Sequence, residues 1–406
     1  MFVPLAYNLR SLFVRRSATA LTVLGIGATV AIVSGIMALQ QGFQHMFVSG
    51  GRDDVAVFLR PGATNEGDSQ FSRERGMKLI KSVPEIEIGP TGPIAGMEAY
   101  LAVLLAPTRG GLTNVPLRGV QPATFEIRKD ELHIVEGRNF TPGTDELIVA
   151  ARLVDRIENC HIDDVIVLNR TPFRVVGVFD HPGQFGSEIW GDLDRMLAAM
   201  NRYGPNRVVA KLKPGSVLGA PDPTAVLFSD EPPEPEPGSM AERLLKDTEA
   251  PAKVYSESQY MASQTVMLSG MLGFIGAALG FVMGLAALFT AMNTMLASVS
   301  ARTREIGIML ALGYRPVPIF LSFLLEALLL GLIGGLAGCL LTLPFNGVRA
   351  GAMNFQTFTE MAFAFRVTPA VLVVAVFFSL VLGLVGGALP AWRAARMSPT
   401  AAMRRA

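Results

Sequence analysis

The sequence has no G-x-x-x-x-G-K-[ST] loop, so the chain is not expected to bind or hydrolyse ATP itself. It has neither an H-E-x-x-H pair nor cysteines at C-x-x-C spacing, which removes the commonest zinc sites. Its two cysteines, Cys160 and Cys339, fall in a polar and an apolar stretch. No internal disulfide is expected, so an outer domain must hold together by its own core. The four histidines, His45, His133, His161 and His181, are scattered. The neighbours Cys160 and His161 would point to opposite faces of a strand, which disfavours a shared metal. Ser187 follows Gly186 but lacks the G-x-S-x-G elbow of a hydrolase. The expectation is a non-catalytic chain with no metal, no cofactor and no nucleic-acid partner. Charge is scarce as well, at 17% of residues.

Apolar residues fill the space that charge leaves. They make up 50% of the chain, with a mean hydropathy of +0.40, and they are clumped. Runs of about 20 such residues are the mark of helices that cross a bilayer. Four are read as transmembrane helices, over 17–41, 266–296, 319–343 and 369–389. Before the first, Leu5, Leu9, Leu12 and Phe13 recur at helical spacing, with Arg15 and Arg16 at the end. Residues 1–16 therefore read as an amphipathic helix at a membrane surface. A signal peptide is the alternative, but the apolar run 18–39 is longer than a signal's core of roughly 7–15 residues.

Residues 42–265 are different material. Val55–Leu59, Tyr100–Leu105, Glu146–Ala150, Val165–Leu168 and Arg174–Phe179 alternate or are rich in β-branched residues, with Gly, Pro and Asn between them. Phe71–Val83 and Asp192–Arg202 have helical spacing. The fold class is thus an α-helical membrane protein with four transmembrane helices and an α+β extracytoplasmic domain inserted between helices 1 and 2. Within that domain, 221–238 is Pro-rich and acidic and reads as a disordered insertion. The remaining pieces are the segment 297–318, an external loop 344–368 and a basic tail 390–406.

Orientation follows from short-segment charge. Arg10, Arg15, Arg16, Arg302, Arg304, Arg315, Arg393, Arg396, Arg404 and Arg405 lie in three short segments, offset only by Glu305. Residues 40–265 carry 23 Lys and Arg against 31 Asp and Glu, a net of −8. The positive-inside rule weighs the short segments, so both termini and the 297–318 tip face the cytoplasm and the large domain lies outside. Glycines recur every four residues in the spans: Gly276, Gly280 and Gly284, then Gly331 with Gly335, Gly334 with Gly338, and Gly383 with Gly387. That register lets helices pack closely in lipid, against each other or against a second copy. Ordinary glycine enrichment in membrane helices is the alternative. Glu326 is the one acid in an apolar run. It is read as a helix–helix hydrogen bond or a snorkelling group, with a proton or substrate contact as the alternative.

The run from Arg302 to Gly338 resembles the C-terminal permease domain of MacB/FtsX-type ABC transporters. The residues that carry the likeness are Arg302, Arg304, Glu305, Ile306, Gly307, Ala311, Leu312, Gly313, Glu326, Gly334 and Gly335. The ending PAWRAARMSPTAAMR resembles the family's C-terminal signature, with Met403 where Leu is usual. VPLRGV at 115–120, EGRNFTPGTDELIVAARLVDRI at 136–157 and FRVVGVFD at 173–180 resemble the MacB-like periplasmic core domain. One departure is Asp163, which stands where the family has a turn glycine. The resemblance implies a mechanotransmission-type permease of the inner membrane that transmits the motion of a separate ABC ATPase to its outer domain, for efflux or export. The implied partners are that ATPase, a second permease copy in a homodimer or related heterodimer, a periplasmic adaptor and membrane lipid. The coupling residues would be Arg302, Arg304, Glu305, Ile306, Met309, Leu312 and Gly313. Arg302 and Arg304 would pair with the ATPase or anionic lipid, Ile306, Met309, Leu310 and Leu312 would enter a groove, and Gly313 would cap the helix. Lipoprotein release or regulation of cell-wall hydrolases would use the same layout. A membrane-anchored enzyme is the remote alternative.

Overall fold

The computed structural model describes residues 16–48, 50–222, 234–313, 315–354 and 359–397. The surface helix expected over 1–16 lies outside them but for Arg16. So do most of the Pro-rich segment and the end of the basic tail, with Arg404 and Arg405. Two compact units are present. One is built from helices (1–42, 270–348 and 364–406), the other around a sheet (43–269 and 349–363).

The chain opens with α1 (Arg16–Val48). The sheet elements follow, and then come three more long helices and one short one. These are α6 (Glu257–Ala301), the short α7 (Thr303–Ala311), α8 (Pro316–Thr342) and α9 (Pro369–Ala395). Four of the helices are long and apolar enough to cross a membrane by length and composition. Pro316 and Pro369 begin α8 and α9, where a missing N–H costs nothing. Thr368 caps α9 by accepting from the Val371 amide. α6 is 45 residues long, roughly 68 Å at the helical rise. Its first turns, to Ser269, belong to the sheet unit.

The sheet unit contains β1 (Val55–Leu59), β2 (Ile88–Gly89), β3 (Gly92–Pro93), β4 (Ala95–Leu105), β5 (Thr113–Val120), β6 (His133–Gly137), β7 (Glu146–Ala150), β8 (Val165–Leu168), β9 (Thr171–Asp180), β10 (Ile189–Asp192), β11 (Arg207–Lys211) and β12 (Lys253–Ser256). Ten of these form one sheet in the order β12-β1-β11-β4-β5-β10-β7-β9-β6, with β8 on β9. The β5–β10 and β7–β9 pairs are parallel, and the others are antiparallel. Two short helices, α2 (Arg73–Ser82) and α4 (Leu193–Ala199), are started by Ser72 and Asp192, whose side chains accept from backbone amides. Between them in sequence lies α3 (Pro122–Ile127), and α5 (Met240–Leu245) follows. Strand alternation sends Met97, Ala99 and Leu101 of β4 to one face. There they join two apolar clusters, one with Phe58, Leu79 and Val208 and the other with Leu117, Val149 and Phe173.

Asp163 adopts φ +71°, the left-handed conformation a glycine would take freely. Its amide bonds the Val175 carbonyl at 2.9 Å, and its carboxylate accepts from Arg174 at 2.6 Å. The turn is therefore kept with an acid in it. The stretch 344–368, read as a loop, contains a two-stranded hairpin, β13 (Arg349–Asn354) with β14 (Thr359–Ala364).

Candidate functional site

Within the helical unit, the segment 297–318 is a helix end, a one-residue break and a second helix. α6 runs through Ala301, Arg302 interrupts it, and α7 follows at once. Ile306 is fully buried. It packs in a cluster with Met295, Val299, Ile319, Phe323, Ala327, Leu330, Ala391 and Ala394, and Met309 and Leu310 flank it. Ile306, expected to enter a partner's groove, here seats α7 on the chain's own helices. The Arg302 guanidinium turns inward to Glu326, Nη1 to Oε2 at 3.0 Å. Glu326 itself is buried and makes a helix–helix contact.

The opposite side of α7 is open. Arg304, Glu305, Ile308 and Leu312 share one exposed face, with Leu312 at 74% exposure. Leu312 donates its amide to Ile308 at 2.9 Å and Gly313 to Leu310 at 3.1 Å. Gly313 has φ +87°, so it closes the helix in the left-handed conformation.

The glycines mark where these helices touch. A side chain on Gly331 would meet the Ser379 carbonyl and the Gly383 Cα, and one on Gly383 would meet the Ala327 carbonyl. α8 and α9 thus approach backbone to backbone. Gly335 faces Ser379, and Gly387 faces Ala327. Gly276 and Gly280 face Ile36 and Val33 of α1, and Gly284 faces Phe378 of α9. Gly276 and Gly280 also line a groove of about 390 Å³ with Val33, Ile36, Met37, Phe281 and Phe378, and Gln40 at one place.

The sheet unit holds a second constellation, which sequence reasoning missed. Arg207 and Glu98 are register partners on β11 and β4, and Arg118 on β5 stands opposite Trp190 on β10. Alternation turns them to the face away from the apolar clusters. Arg118 donates to Glu188 at 2.7 Å and to Glu66 at 2.9 Å, and Arg207 donates to Glu98 at 2.6 Å. Arg128 pairs with Glu257, in the first turn of α6. The Phe185 ring lies under three guanidinium groups, 4.1 Å from Arg128, 5.0 Å from Arg118 and 5.6 Å from Arg207. All three arginines are fully buried. Burial alone would push the Glu98 carboxyl up, but Arg207, Arg118 and Arg128 outweigh it and hold it at about 2. Glu66 is held down the same way, burial opposing and Arg118 and Arg207 prevailing. Burial, together with the nearby Glu66 carboxylate, pushes the Tyr260 hydroxyl far above its ordinary value, and the Glu66 amide donates to that oxygen at 3.0 Å. Among the described residues, no group of three or more His, Cys, Asp or Glu is placed to hold a metal ion.

The model of the MacB-like periplasmic core domain matches residues 19–220, and that of the FtsX-like permease C-terminal domain matches 277–399. The chain belongs to the MacB/FtsX-type ABC transporter permeases. A pyoverdine export ATP-binding/permease protein, PvdT of Pseudomonas savastanoi pv. phaseolicola, is 28% identical over 97% of the chain and 58% of its own length. YvrN of Bacillus subtilis, described as an uncharacterized ABC transporter permease, is 28% identical over 100% of both chains. The periplasmic region of MacB from Actinobacillus actinomycetemcomitans aligns with 52% of the chain and 92% of its own at a TM-score of 0.36 and 12% identity. The chain spans 58–59% of the length of these ATP-binding/permease relatives.

Proposed function

We propose that this permease is the membrane subunit of an export system, driven by an ABC ATPase on a separate chain. Its four apolar helices cross the bacterial inner membrane, with both termini and α7 in the cytoplasm. The sheet unit lies outside. Nucleotide-driven closure of the ATPase pushes α7, and the motion reaches the outer domain, which moves cargo that need not cross the bilayer. A second permease copy completes the transporter, a periplasmic adaptor receives the cargo, and lipid surrounds the helices. The likeness to YvrN, described as an ABC transporter permease, supports the permease reading, and the likeness to PvdT supports export.

The observation that carries the proposal is the two-sided character of α7. A short, capped helix seated by a buried isoleucine presents Arg304, Glu305, Ile308 and Leu312 on its exposed face. Such a helix can receive a push without sinking into its own support. The apolar members bury in a cleft of the ATPase, and Arg304 and Glu305 fix the register. In detergent or nanodiscs, the permease is expected to co-purify with a Walker-A-bearing ATPase. Leu312→Asp and Glu305→Arg should each weaken that capture about tenfold, the loss of one contact residue worth over 1 kcal/mol. Undiminished capture by both folded variants would falsify the assignment of α7.

A further inference from the structure

The break between α6 and α7 holds two charges away from water. Arg302, at φ −108° and ψ 12°, is the one residue separating the helices. Its side chain is 12% exposed and that of Glu326 is 5% exposed, with 3.0 Å between Nη1 and Oε2. Ser298 lies one turn earlier on the same face and donates to Oε1 of the same carboxylate at 3.4 Å. The guanidinium also stands 5.9 Å from the centre of the Phe323 ring. Glu326, riding on α8, is therefore gripped from two successive turns of the preceding segment. The Ile306 amide bonds the Arg302 carbonyl at 3.0 Å, so the first turn of α7 is built on the same residue.

Apolar side chains of similar volume would seal this junction with less desolvation. They would not define its angle as well. The surrounding Met295, Val299 and Phe323 can slide over one another at small cost. A buried ion pair has a defined geometry, and separating it strands a charge out of water. We propose that Glu326 is a positioning residue: through Arg302 and Ser298 it sets the direction in which α7 leaves the helices that carry it. It thereby sets the angle at which the exposed face meets the ATPase. The second step rests on the function proposed above, and the first stands without it.

Spin labels at Ile308 and Leu325, which are 47% and 40% exposed, would report the α7–α8 distance in the full chain in nanodiscs. Glu326→Gln and Arg302→Gln should each broaden the distance distribution. The exchange Arg302→Glu with Glu326→Arg should narrow it again. A distribution that stays narrow in the single variants, or broad in the exchange, overturns the proposal. The same variants are then combined with the Walker-A-bearing ABC ATPase that co-purifies with the wild-type permease. The single variants should capture it as wild type does yet stimulate its ATP hydrolysis about tenfold less, within the range for residues that couple two sites. The exchange should restore stimulation. Equal stimulation by wild type and Glu326→Gln overturns the effect on coupling. If wild type captures no ATPase, the proposed function fails instead, and the spin-label distances still decide the role of the pair.

Discussion

Glu98 keeps its charge where a lone carboxylate would be neutral. It is fully buried on β4, and burial works against ionisation. Arg207, Arg118 and Arg128 reverse that and bring it from 4.5 to about 2. A folded-state pKa below the unfolded one means the unfolded chain binds the proton more readily. The resulting stability, of order 3 kcal/mol, is present above about pH 4.5 and is lost as pH falls toward 2. Glu98→Gln mimics the protonated form. It should destabilise the folded chain at pH 7 by about 3–5 kcal/mol, because two buried guanidinium groups lose a partner. As pH falls from 5 to 3, wild type should approach the variant. Denaturant unfolding followed by tryptophan fluorescence reads both curves, since Trp190 is buried and donates to Glu188 in the same network. A gap that stays constant with pH would show that Glu98 is not the group that titrates.

At the scale of elements, the seam between α8 and α9 depends on what is missing from it. Gly331 and Gly383 let the two backbones meet, and a Cβ on Gly383 would stand 2.7 Å from the Ala327 carbonyl oxygen and 3.2 Å from the Gly331 Cα. Gly383→Leu should force the helices apart and cost about 1–3 kcal/mol or more. Gly313→Ala bears on a φ of +87° instead of on packing, so it should fray α7 and leave the seam intact. Thermal unfolding of the full chain in detergent separates the two, because only Gly383→Leu should lower the midpoint of the helical unit. The spacing of these glycines was visible in the sequence, and so was the alternation in β8, where Ile166 and Leu168 are buried and Val165 and Val167 exposed. β5 was not visible as a strand. Pro116, Arg118 and Gly119 break its apolar pattern, and only the tertiary network makes a buried arginine tolerable there. The Arg302–Glu326 pair was hidden for a similar reason. The lone acid in an apolar run announced a partner, but nothing local says that it lies 24 residues earlier, on the far side of a helix break. Periodicity reports which face is buried, and it is silent about which charges meet.

For the whole molecule, the proposal depends on two surfaces facing opposite sides of a membrane. The basic residues near the helix ends favour α7 inside, and the sheet unit would then be outside. The chain's own cysteines make this testable with little alteration. Cys160 is fully buried, and burial, with help from Asp164, pushes its thiol up to about 12. Only about one molecule in 10⁵ would carry the reactive thiolate at pH 7. Cys339 is 7% exposed, within α8. Wild type should therefore give almost no background with a membrane-impermeant maleimide. Val167→Cys places a thiol on β8 at a position that is 56% exposed, and Leu312→Cys places one at the 74% exposed end of α7. In right-side-out vesicles, Val167→Cys should label and Leu312→Cys should not. In inverted vesicles, the pattern should exchange, and detergent should make both reactive. Labelling of both from the same side would remove the topology, and with it the route by which an ATPase at α7 could drive an outer domain.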